Sequence, residues 1–196
     1  MKKVIICSLL LVSLGVKAQN FGFFLFNPSL RIGAVVPTQI GNTALNHFYT
    51  TPVGIDVNYS IFKLYKGEFN IGYSGASYRF VGIPDFTAYT RTTQSVYYMQ
   101  LAYEIDVKKQ WSVTPYINLG AEQLRHLENG SLQAIQNGTQ VQIGGYLNFK
   151  LAAILKVYTG LAFTTTNYNL QDGVSEYVTK YKKSQALVLT LGLKIN

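Results

Sequence analysis

Charged side chains and cysteine are both scarce in this chain. Of its 196 residues only 13% are charged, against about 25% in an ordinary soluble domain. The one cysteine, Cys7, cannot form an intramolecular disulfide framework. Low charge combined with 14% aromatic residues excludes an intrinsically disordered chain, because such chains are highly charged and poor in aromatic residues. The length fits one domain, or at most two small ones.

The first residues have the pattern of a secretory signal. Lys2 and Lys3 precede an apolar stretch over 4–14, and Val16-Lys17-Ala18 resembles a small-x-small cleavage site. The apolar stretch is too short for a membrane helix, which needs about 20 residues; a buried N-terminal helix is the alternative. We expect a signal peptide over 1–18, an exported protein over 19–196 and no membrane helix.

Apolar and polar residues alternate with a period of two along the rest of the chain, which indicates β-strands. Near the C-terminus, Leu189, Leu191 and Leu193 share one face while Thr190 and Gly192 share the other. Eight such segments are predicted, over 26–36, 53–61, 68–79, 96–107, 111–122, 139–151, 154–165 and 186–196. They are long, since strands of globular proteins typically have about 5–6 residues.

The predicted connections alternate between short and long. Three short turns are expected, around 64–66, 108–110 and 151–153, and four long connections, over 37–52, 80–95, 124–138 and 166–184. This pattern is typical of an all-β, antiparallel up-and-down barrel of eight strands. Pro115 lies inside one segment, where it cannot donate a ladder hydrogen bond, so a bulge or a local gap is expected there.

Alternation alone is compatible with two kinds of barrel. One is a transmembrane barrel, and the other is a water-soluble carrier of the lipocalin type with its apolar face inside. The strands are long enough to cross a hydrocarbon core, which takes about 9–11 residues. The polar face carries only eight charged residues, too few for the outer surface of a soluble barrel. Small residues fit a narrow interior, and seven glycines share the polar parity: Gly33, Gly54, Gly72, Gly120, Gly144, Gly160 and Gly192. We therefore predict a transmembrane barrel with its apolar face outward.

Aromatic residues on the apolar face support this orientation. Girdles of aromatic rings mark both membrane boundaries in barrels of this kind. Here Phe26, Phe69, Trp111 and Phe149 lie near the short turns, and Tyr97 and Phe163 lie near the long connections.

Taken together, residues 19–196 resemble the small eight-stranded outer-membrane barrels of the OmpA/OmpX kind, in particular the barrel domains common in Bacteroidetes-type bacteria. The resemblance implies the outer membrane of a Gram-negative bacterium. It also implies as partners the lipid bilayer with its lipopolysaccharide, the barrel-insertion machinery and other outer-membrane proteins. One departure is the end of the chain, Leu193-Lys194-Ile195-Asn196, which lacks the terminal aromatic residue frequent in such barrels.

Ionisable residues of the polar parity are expected in the lumen. They are Arg31, Asp56, Glu104, Asp106, Glu122, Lys150, Lys156 and Lys194. Eight strands leave room only for side chains, and buried charges need partners. We expect Arg31 and the three lysines to pair with Glu104 and Asp106 and to close the lumen. The alternative is a narrow conduit for small or hydrophobic solutes, although a selective channel more often carries a ring of one sign.

No catalytic, metal or cofactor motif stands out after the signal peptide. Ser60 and Lys63 form a Ser-x-x-Lys, but residues three apart on a strand face opposite sides. Some barrels of this size modify lipid A, which would require an activated serine. The two histidines, His47 and His126, fall in or beside long connections, the latter near Glu128 and Ser131. We expect no enzyme; a lipid A-modifying barrel is the alternative.

Partners are therefore expected at the long connections, which are rich in Thr, Asn, Gln and Tyr. Rigid scaffolds commonly carry function on their loops. The net charge of +8 falls to +5 when the three lysines of the predicted signal peptide are removed, which is modest and predicts no nucleic-acid binding. The basic cluster of Lys180, Lys182 and Lys183 is either a solvated loop end or a contact for lipopolysaccharide phosphates. The sequence thus predicts a structural, adhesive or complex-forming surface protein.

Overall fold

A computed structural model describes residues 28–41, 45–46, 49–81, 90–169 and 182–196. The predicted signal peptide, Phe26 and His47 lie outside these residues. Within the described ranges, none of the helical segments has the length and apolar character needed to cross a bilayer.

Antiparallel strands account for nearly all of the described chain. They are β1 (Leu30–Ile40), β2 (Gly54–Leu64), β3 (Gly67–Arg79), β4 (Arg91–Tyr103), β5 (Ile105–Lys108), β6 (Trp111–Glu128), β7 (Ser131–Lys150), β8 (Leu155–Asn169) and β9 (Lys183–Ile195). Consecutive strands pair with each other, with one exception: β4 and β5 both pair with β6, so β5 continues β4. β1 also pairs with β9, which closes a ring of eight strands. The predicted up-and-down barrel is confirmed.

The strand formed by β4 and β5 is interrupted opposite a proline. Pairing of β4 with β6 runs as far as Ala102 and resumes at Ile105. Pro115 of β6 lies opposite this gap, and proline has no N–H group for the ladder. On the other side of the strand, the backbone N–H of Glu104 donates to the carbonyl of Lys66, in the turn before β3, at 2.9 Å. The gap predicted at Pro115 is confirmed, and Glu104 lies within it.

Apolar side chains face outward and polar side chains face inward. Leu101 and Leu191 expose 59% and 62% of their surface, whereas Gln100 and Thr114 are fully buried in the interior. A water-soluble carrier would have the opposite arrangement. Hydrocarbon surroundings favour this one, because a closed barrel pairs all of its backbone groups and presents only apolar side chains to lipid.

Tyrosine rings fill the interior at positions where glycine leaves room for them. A Cβ atom at Gly160 would lie 2.7 Å from Cδ1 of Tyr146, and one at Gly192 would lie 2.8 Å from Cζ of Tyr158. Neither approach is sterically possible without displacing a buried ring. The inward parity of these glycines is therefore a packing requirement of a narrow barrel.

Two aromatic pairs lie near the short turns on the outer face, and a third lies midway along β3 and β4. The ring centroids lie 4.8 Å apart for Trp111 and Phe149, 5.1 Å apart for Phe62 and Phe69, and 5.1 Å apart for Tyr73 and Tyr97. Phe163 is also exposed on this face. Contact of these rings with a membrane boundary stays a prediction.

The segment predicted as a long irregular connection over 124–138 is a β-hairpin instead. β6 and β7 continue to a two-residue turn, Asn129-Gly130, whose φ angles are 49° and 83°. Two successive residues with positive φ are typical of the type I′ turn, for which Asn-Gly is the preferred sequence. The hairpin therefore extends the wall of the barrel on the side of the long connections, which is the extracellular side in barrels of this class.

The orientation of β9 predicts the effect of a charge on the outer face. Leu191→Arg should lower the free energy of unfolding by about 2–4 kcal/mol, because it places a guanidinium in hydrocarbon. Thr190→Ser, on the adjacent inward position, should change it little. Urea unfolding of the protein folded into lipid vesicles measures both. An unchanged stability in Leu191→Arg would contradict the outward placement of the leucines.

Candidate functional site

A cluster of charged side chains crosses the interior at the end of the short turns. Lys194 Nζ lies 2.7 Å from Glu68 Oε1 and 2.9 Å from Glu104 Oε2. Arg31 Nη2 lies 3.0 Å from Glu68 Oε2, and Lys156 also contacts Glu104. The side chains of Arg31, Lys194 and Glu68 are at most 3% exposed. We call these five residues the ion-pair cluster.

The strand register explains why the ion-pair cluster spans the lumen. Lys194 of β9 lies directly opposite both Arg31 of β1 and Lys156 of β8. Like charges in directly opposite positions destabilise a sheet, so this wall needs anions from elsewhere. Glu68 comes from β3 and Glu104 from the break between β4 and β5. The carboxylates therefore reach the cations from other parts of the wall.

Lys63 joins Glu68 because of a β-bulge. The register of β2 with β3 shifts between Ser60 and Phe62. The shift turns Lys63 inward, and its Nζ lies 3.1 Å from Glu68 Oε1. The expectation that Ser60 and Lys63 face opposite sides does not hold, since strict alternation ends at a bulge.

Glu68 is the central anion that the sequence analysis missed. It shares the inward parity of Asn70, and both side chains are buried. The signal was present, because an acidic residue begins a strand whose next inward position is also polar.

A layer of tyrosine rings lies above the ion-pair cluster. The ring centroids of Tyr116 and Tyr146 are 4.4 Å apart, and those of Tyr146 and Tyr158 are 5.1 Å apart. The guanidinium carbon of Arg31 lies 5.0 Å from the centroid of Tyr146. This distance is within the range of a cation–π interaction, so the tyrosine layer and the charged residues form one packed unit.

Side-chain amides form a chain of hydrogen bonds along four adjacent strands, β3, β4, β6 and β7, at a similar level. Asn70 Nδ2 donates to Gln100 Oε1 at 2.7 Å, and Gln100 Nε2 donates to Asn118 Oδ1 at 2.9 Å. Asn118 Nδ2 in turn donates to Gln142 Oε1 at 2.7 Å. Hydrogen bonds of this kind satisfy polar groups that cannot reach water.

Glu122 is the anion of the opposite half of the interior. Its carboxylate accepts hydrogen bonds from four neutral side chains at distances of 2.5–2.8 Å: Gln94, Gln140, Thr166 and Tyr168. Donors to a carboxylate make strong, charge-assisted bonds. Glu122 is thus held by hydrogen bonds rather than by the lysines predicted for the lumen.

Asp56 lies between these two halves, at a small cavity. Tyr98 donates a hydrogen bond to Asp56 Oδ1 at 2.8 Å. The cavity has a volume of about 40 Å³, and its lining includes Asp56, Tyr116 and Tyr146. A space of this size holds a few water molecules.

Two residues predicted for the lumen lie elsewhere. Asp106 is exposed and pairs with Lys66 in the turn between β2 and β3, at 3.1 Å, and Lys150 is exposed at the end of β7. The hydrogen bond and the negative charge of Asp106 raise the pKa of Lys66. The alternation of faces wrongly predicted an interior position for these two residues, because both lie at strand ends, beyond the enclosed interior. Neither belongs to the ion-pair cluster.

Of the candidate catalytic residues in the third long connection, Glu128 and Ser131 are paired by the hairpin, and His126 lies in the interior. His126 is buried, and its Nδ1 lies 2.9 Å from Thr92 Oγ1. Glu128 and Ser131 are exposed beside the turn. In the described part of the chain, no group of histidine, aspartate and glutamate side chains is arranged to hold a metal ion.

Neither a protein-family model nor a curated protein matches this chain. Solved structures do match it. Neisserial surface protein A, NspA, has a TM-score of 0.59 at 13% identity, covering 86% of this chain and 96% of its own. Ail of Yersinia pestis has a TM-score of 0.50 at 11% identity, covering 88% and 99%. OprG of Pseudomonas aeruginosa, an outer membrane protein, also has 0.50 at 11%, covering 88% and 95%.

These likenesses establish the fold and nothing finer. The chain has the fold of the small eight-stranded outer-membrane barrels. Membership of a Bacteroidetes-type family stays a prediction. Ail, the attachment invasion locus protein, has also been crystallised with the heparin analogue sucrose octasulfate, and that structure has a TM-score of 0.52 at 12% identity.

The ion-pair cluster predicts a large effect of neutralising its central anion. Glu68→Gln should lower the free energy of unfolding by about 3–5 kcal/mol, because it leaves buried cations without their partner. Asp106→Asn removes an exposed ion pair and should leave the unfolding midpoint unchanged. Urea unfolding in vesicles compares the two variants. Equal effects would show that the buried cluster is no more important than a surface pair.

Proposed function

We propose that this chain is an integral outer-membrane barrel with a closed lumen, which serves as a non-catalytic surface protein in adhesion or complex formation. Its partners in this proposal are outer-membrane lipid with lipopolysaccharide, the barrel-insertion machinery during assembly, and other proteins bound at the extracellular end. The observation that carries the proposal is the ion-pair cluster across the interior.

Energetics support a lumen that stays closed. A solute path through this level would have to separate Glu68 from Arg31 and Lys194, whose side chains are at most 3% exposed. Breaking a buried pair costs about 3–5 kcal/mol. A cost of about 4 kcal/mol corresponds to roughly one open molecule in a thousand. Permeation through such a rare state would be slow.

The residues above the ion-pair cluster also support closure. Tyr116, Tyr146 and Tyr158 pack against one another in the interior, and the cavity beyond them measures only about 40 Å³. The cluster mixes cations with anions, whereas selective channels commonly present a ring of one sign. A conduit for solutes therefore has less support than a closed barrel.

The positions of the candidate catalytic groups support a non-catalytic role. Acyl hydrolysis needs a serine within hydrogen-bond reach of an activating base. His126 is buried and paired with Thr92, while Glu128 and Ser131 are exposed on the hairpin. This separation favours a solvent-facing hairpin over a lipid-modifying active site.

The hairpin supports a role in binding proteins. Among the described residues, the pairing of β7 with β8 begins at Asn137, and 131–136 precede it. Leu132 and Ile135 in this stretch expose 52% and 47% of their surface. Exposed apolar residues outside the membrane commonly mark protein contacts. The resemblance to Ail, whose name refers to attachment, is consistent with such contacts and does not identify a partner.

Conductance tests the closed lumen. In planar bilayers the purified wild-type barrel should show no discrete current steps above the background of the bilayer, because its charged residues pair across the interior. A water-filled porin measured in the same bilayers serves as the positive control. Sustained unitary currents from the folded wild-type protein would overturn the closed-lumen proposal.

Substitution of the hairpin tests the surface role. The double variant Leu132→Ser/Ile135→Ser should lose at least tenfold of any chemical cross-linking to other outer-membrane proteins on intact cells, since it removes the exposed apolar contacts. Glu128→Gln is the matched control on the opposite strand and should retain cross-linking. Equal surface amounts of folded barrel, checked by heat-dependent gel mobility, are required for the comparison. Undiminished cross-linking in the double variant would contradict the assignment of the hairpin.

A further inference from the structure

Three arginines share the outer face of three neighbouring strands. Arg79 ends β3, Arg91 begins β4, and Arg125 lies in β6 near the hairpin. Arg79 is directly opposite Arg91, while Arg125 is opposite Thr93 and therefore diagonal to Arg91. All three side chains are exposed. We call them the arginine triad.

This placement is electrostatically unfavourable unless an anion is present. Directly opposite residues have Cβ atoms about 4.5–5.5 Å apart, and like charges in that position are destabilising. The ion pairs found among the described residues include none of the arginine triad. Glu128, an acidic residue of the adjacent hairpin, is exposed and belongs to none of those pairs either.

Neutral hydrogen bonds orient two of the three guanidinium groups. Arg91 Nε donates to Ser77 Oγ at 2.7 Å, and Arg125 Nε donates to Gln123 Oε1 at 2.7 Å. Both bonds restrict the side chains without neutralising them. A fixed guanidinium offers paired donors whose geometry matches a phosphate group.

An apolar groove lies on the same face, toward the middle of the barrel. It has a volume of about 770 Å³, and its lining includes Val57, Ile71, Tyr97, Met99 and Leu119. Tyr97 and Met99 expose 66% and 55% of their surface. Ala121, an exposed residue with a small side chain, also lines the groove and leaves room between the larger outer side chains. The dimensions and apolar lining of the groove suit acyl chains.

Small polar residues occupy the surface between the groove and the arginine triad. A second depression, of about 430 Å³, includes Gly75, Ser77, Thr93 and Ser95 in its lining. Arg91 precedes Tyr97 by six residues, which is about 20 Å along the strand at 3.3 Å per residue. With strands tilted by about 45°, the step along the membrane normal is about 14 Å, so the arginine triad lies closer to the long connections than the groove does.

We propose that this face binds lipid A, the phosphorylated and multiply acylated sugar lipid of the outer leaflet. The acyl chains lie in the apolar groove, the sugar lies against the serine and threonine side chains, and the phosphate groups bind the arginine triad. Three cations on two adjacent levels suit a lipid with more than one phosphate, whereas a phospholipid offers a single charge next to its acyl chains. This site rests on the outer-membrane location in the proposed function and specifies one of its partners.

Lipid binding to the full-length folded chain tests the site. Native mass spectrometry in detergent would titrate bisphosphorylated lipid A, dephosphorylated lipid A and phosphatidylglycerol. The triple variant Arg79→Gln/Arg91→Gln/Arg125→Gln should bind bisphosphorylated lipid A at least tenfold more weakly than the wild type. The matched control, Lys108→Gln/Lys109→Gln/Lys150→Gln, loses the same charge at exposed positions beside the short turns and should change binding less than twofold.

The lipid series distinguishes lipid A from other anions. The wild type should prefer bisphosphorylated lipid A to the dephosphorylated form and to phosphatidylglycerol by at least tenfold. Equal weakening in the arginine and lysine variants would show a general charge effect and overturn the site. Phosphatidylglycerol binding as tight as that of lipid A would also overturn it.

The urea midpoint of unfolding distinguishes lipid A binding by Arg91 from a purely structural role of this residue. In vesicles without lipid A, Arg91→Gln should leave the unfolding midpoint unchanged or raise it, because a like-charge contact is removed. In vesicles containing lipid A, the same variant should unfold at a lower urea concentration than the wild type. A lower midpoint under both conditions would make Arg91 a structural residue and contradict the proposal. Bilayer conductance of the wild type does not depend on this site, so failure here is distinguishable from failure of the closed-lumen proposal.

Discussion

Hydrocarbon around a barrel leaves the polar side chains of its strands only one place, the narrow interior. Eight strands enclose little space, so every group there must either pair or be small. In this chain, the register places Arg31, Lys156 and Lys194 next to one another on adjacent strands. Their anionic partners, Glu68 and Glu104, come from other strands and contact them inside the barrel. The inward glycines that accommodate tyrosine rings follow from the same lack of space.

The interior of the barrel and its outer surfaces therefore have different roles: the interior provides stability, and the outer surfaces are available for recognition. Ion pairs, packed tyrosine rings and amide hydrogen bonds fill the interior and leave a cavity of only about 40 Å³. The outer face and the extracellular end are free of that requirement. There, exposed residues such as Leu132, Ile135 and Arg91 have no comparable role in holding the barrel together. We infer that contacts with other molecules are made at these surfaces, and the interior keeps the scaffold rigid.

Local pattern predicted what depends on local geometry. The period of two located the strands and their faces, and Pro115 marked the gap that contains Glu104. Lys63 was misassigned because a bulge shifts the register after Ser60, which no count of parity reveals. Pairing across the lumen depends on how the ring closes, so Glu68 could be recognised as inward-facing but not as the partner of Arg31 and Lys194. The Asn129-Gly130 turn was readable from turn chemistry, and it converts an expected loop into a hairpin.

The central claim is that apolar side chains of this barrel face lipid and polar ones face a packed interior. Spin labels on single cysteines introduced along β9 test it most directly, since Cys7 is the chain's only cysteine. Labels at Leu187, Leu189 and Leu191 should be accessible to oxygen and shielded from a water-soluble nickel chelate. Labels at Ala186 and Thr190 should be immobile and shielded from both. The reverse alternation, or none, would contradict the account.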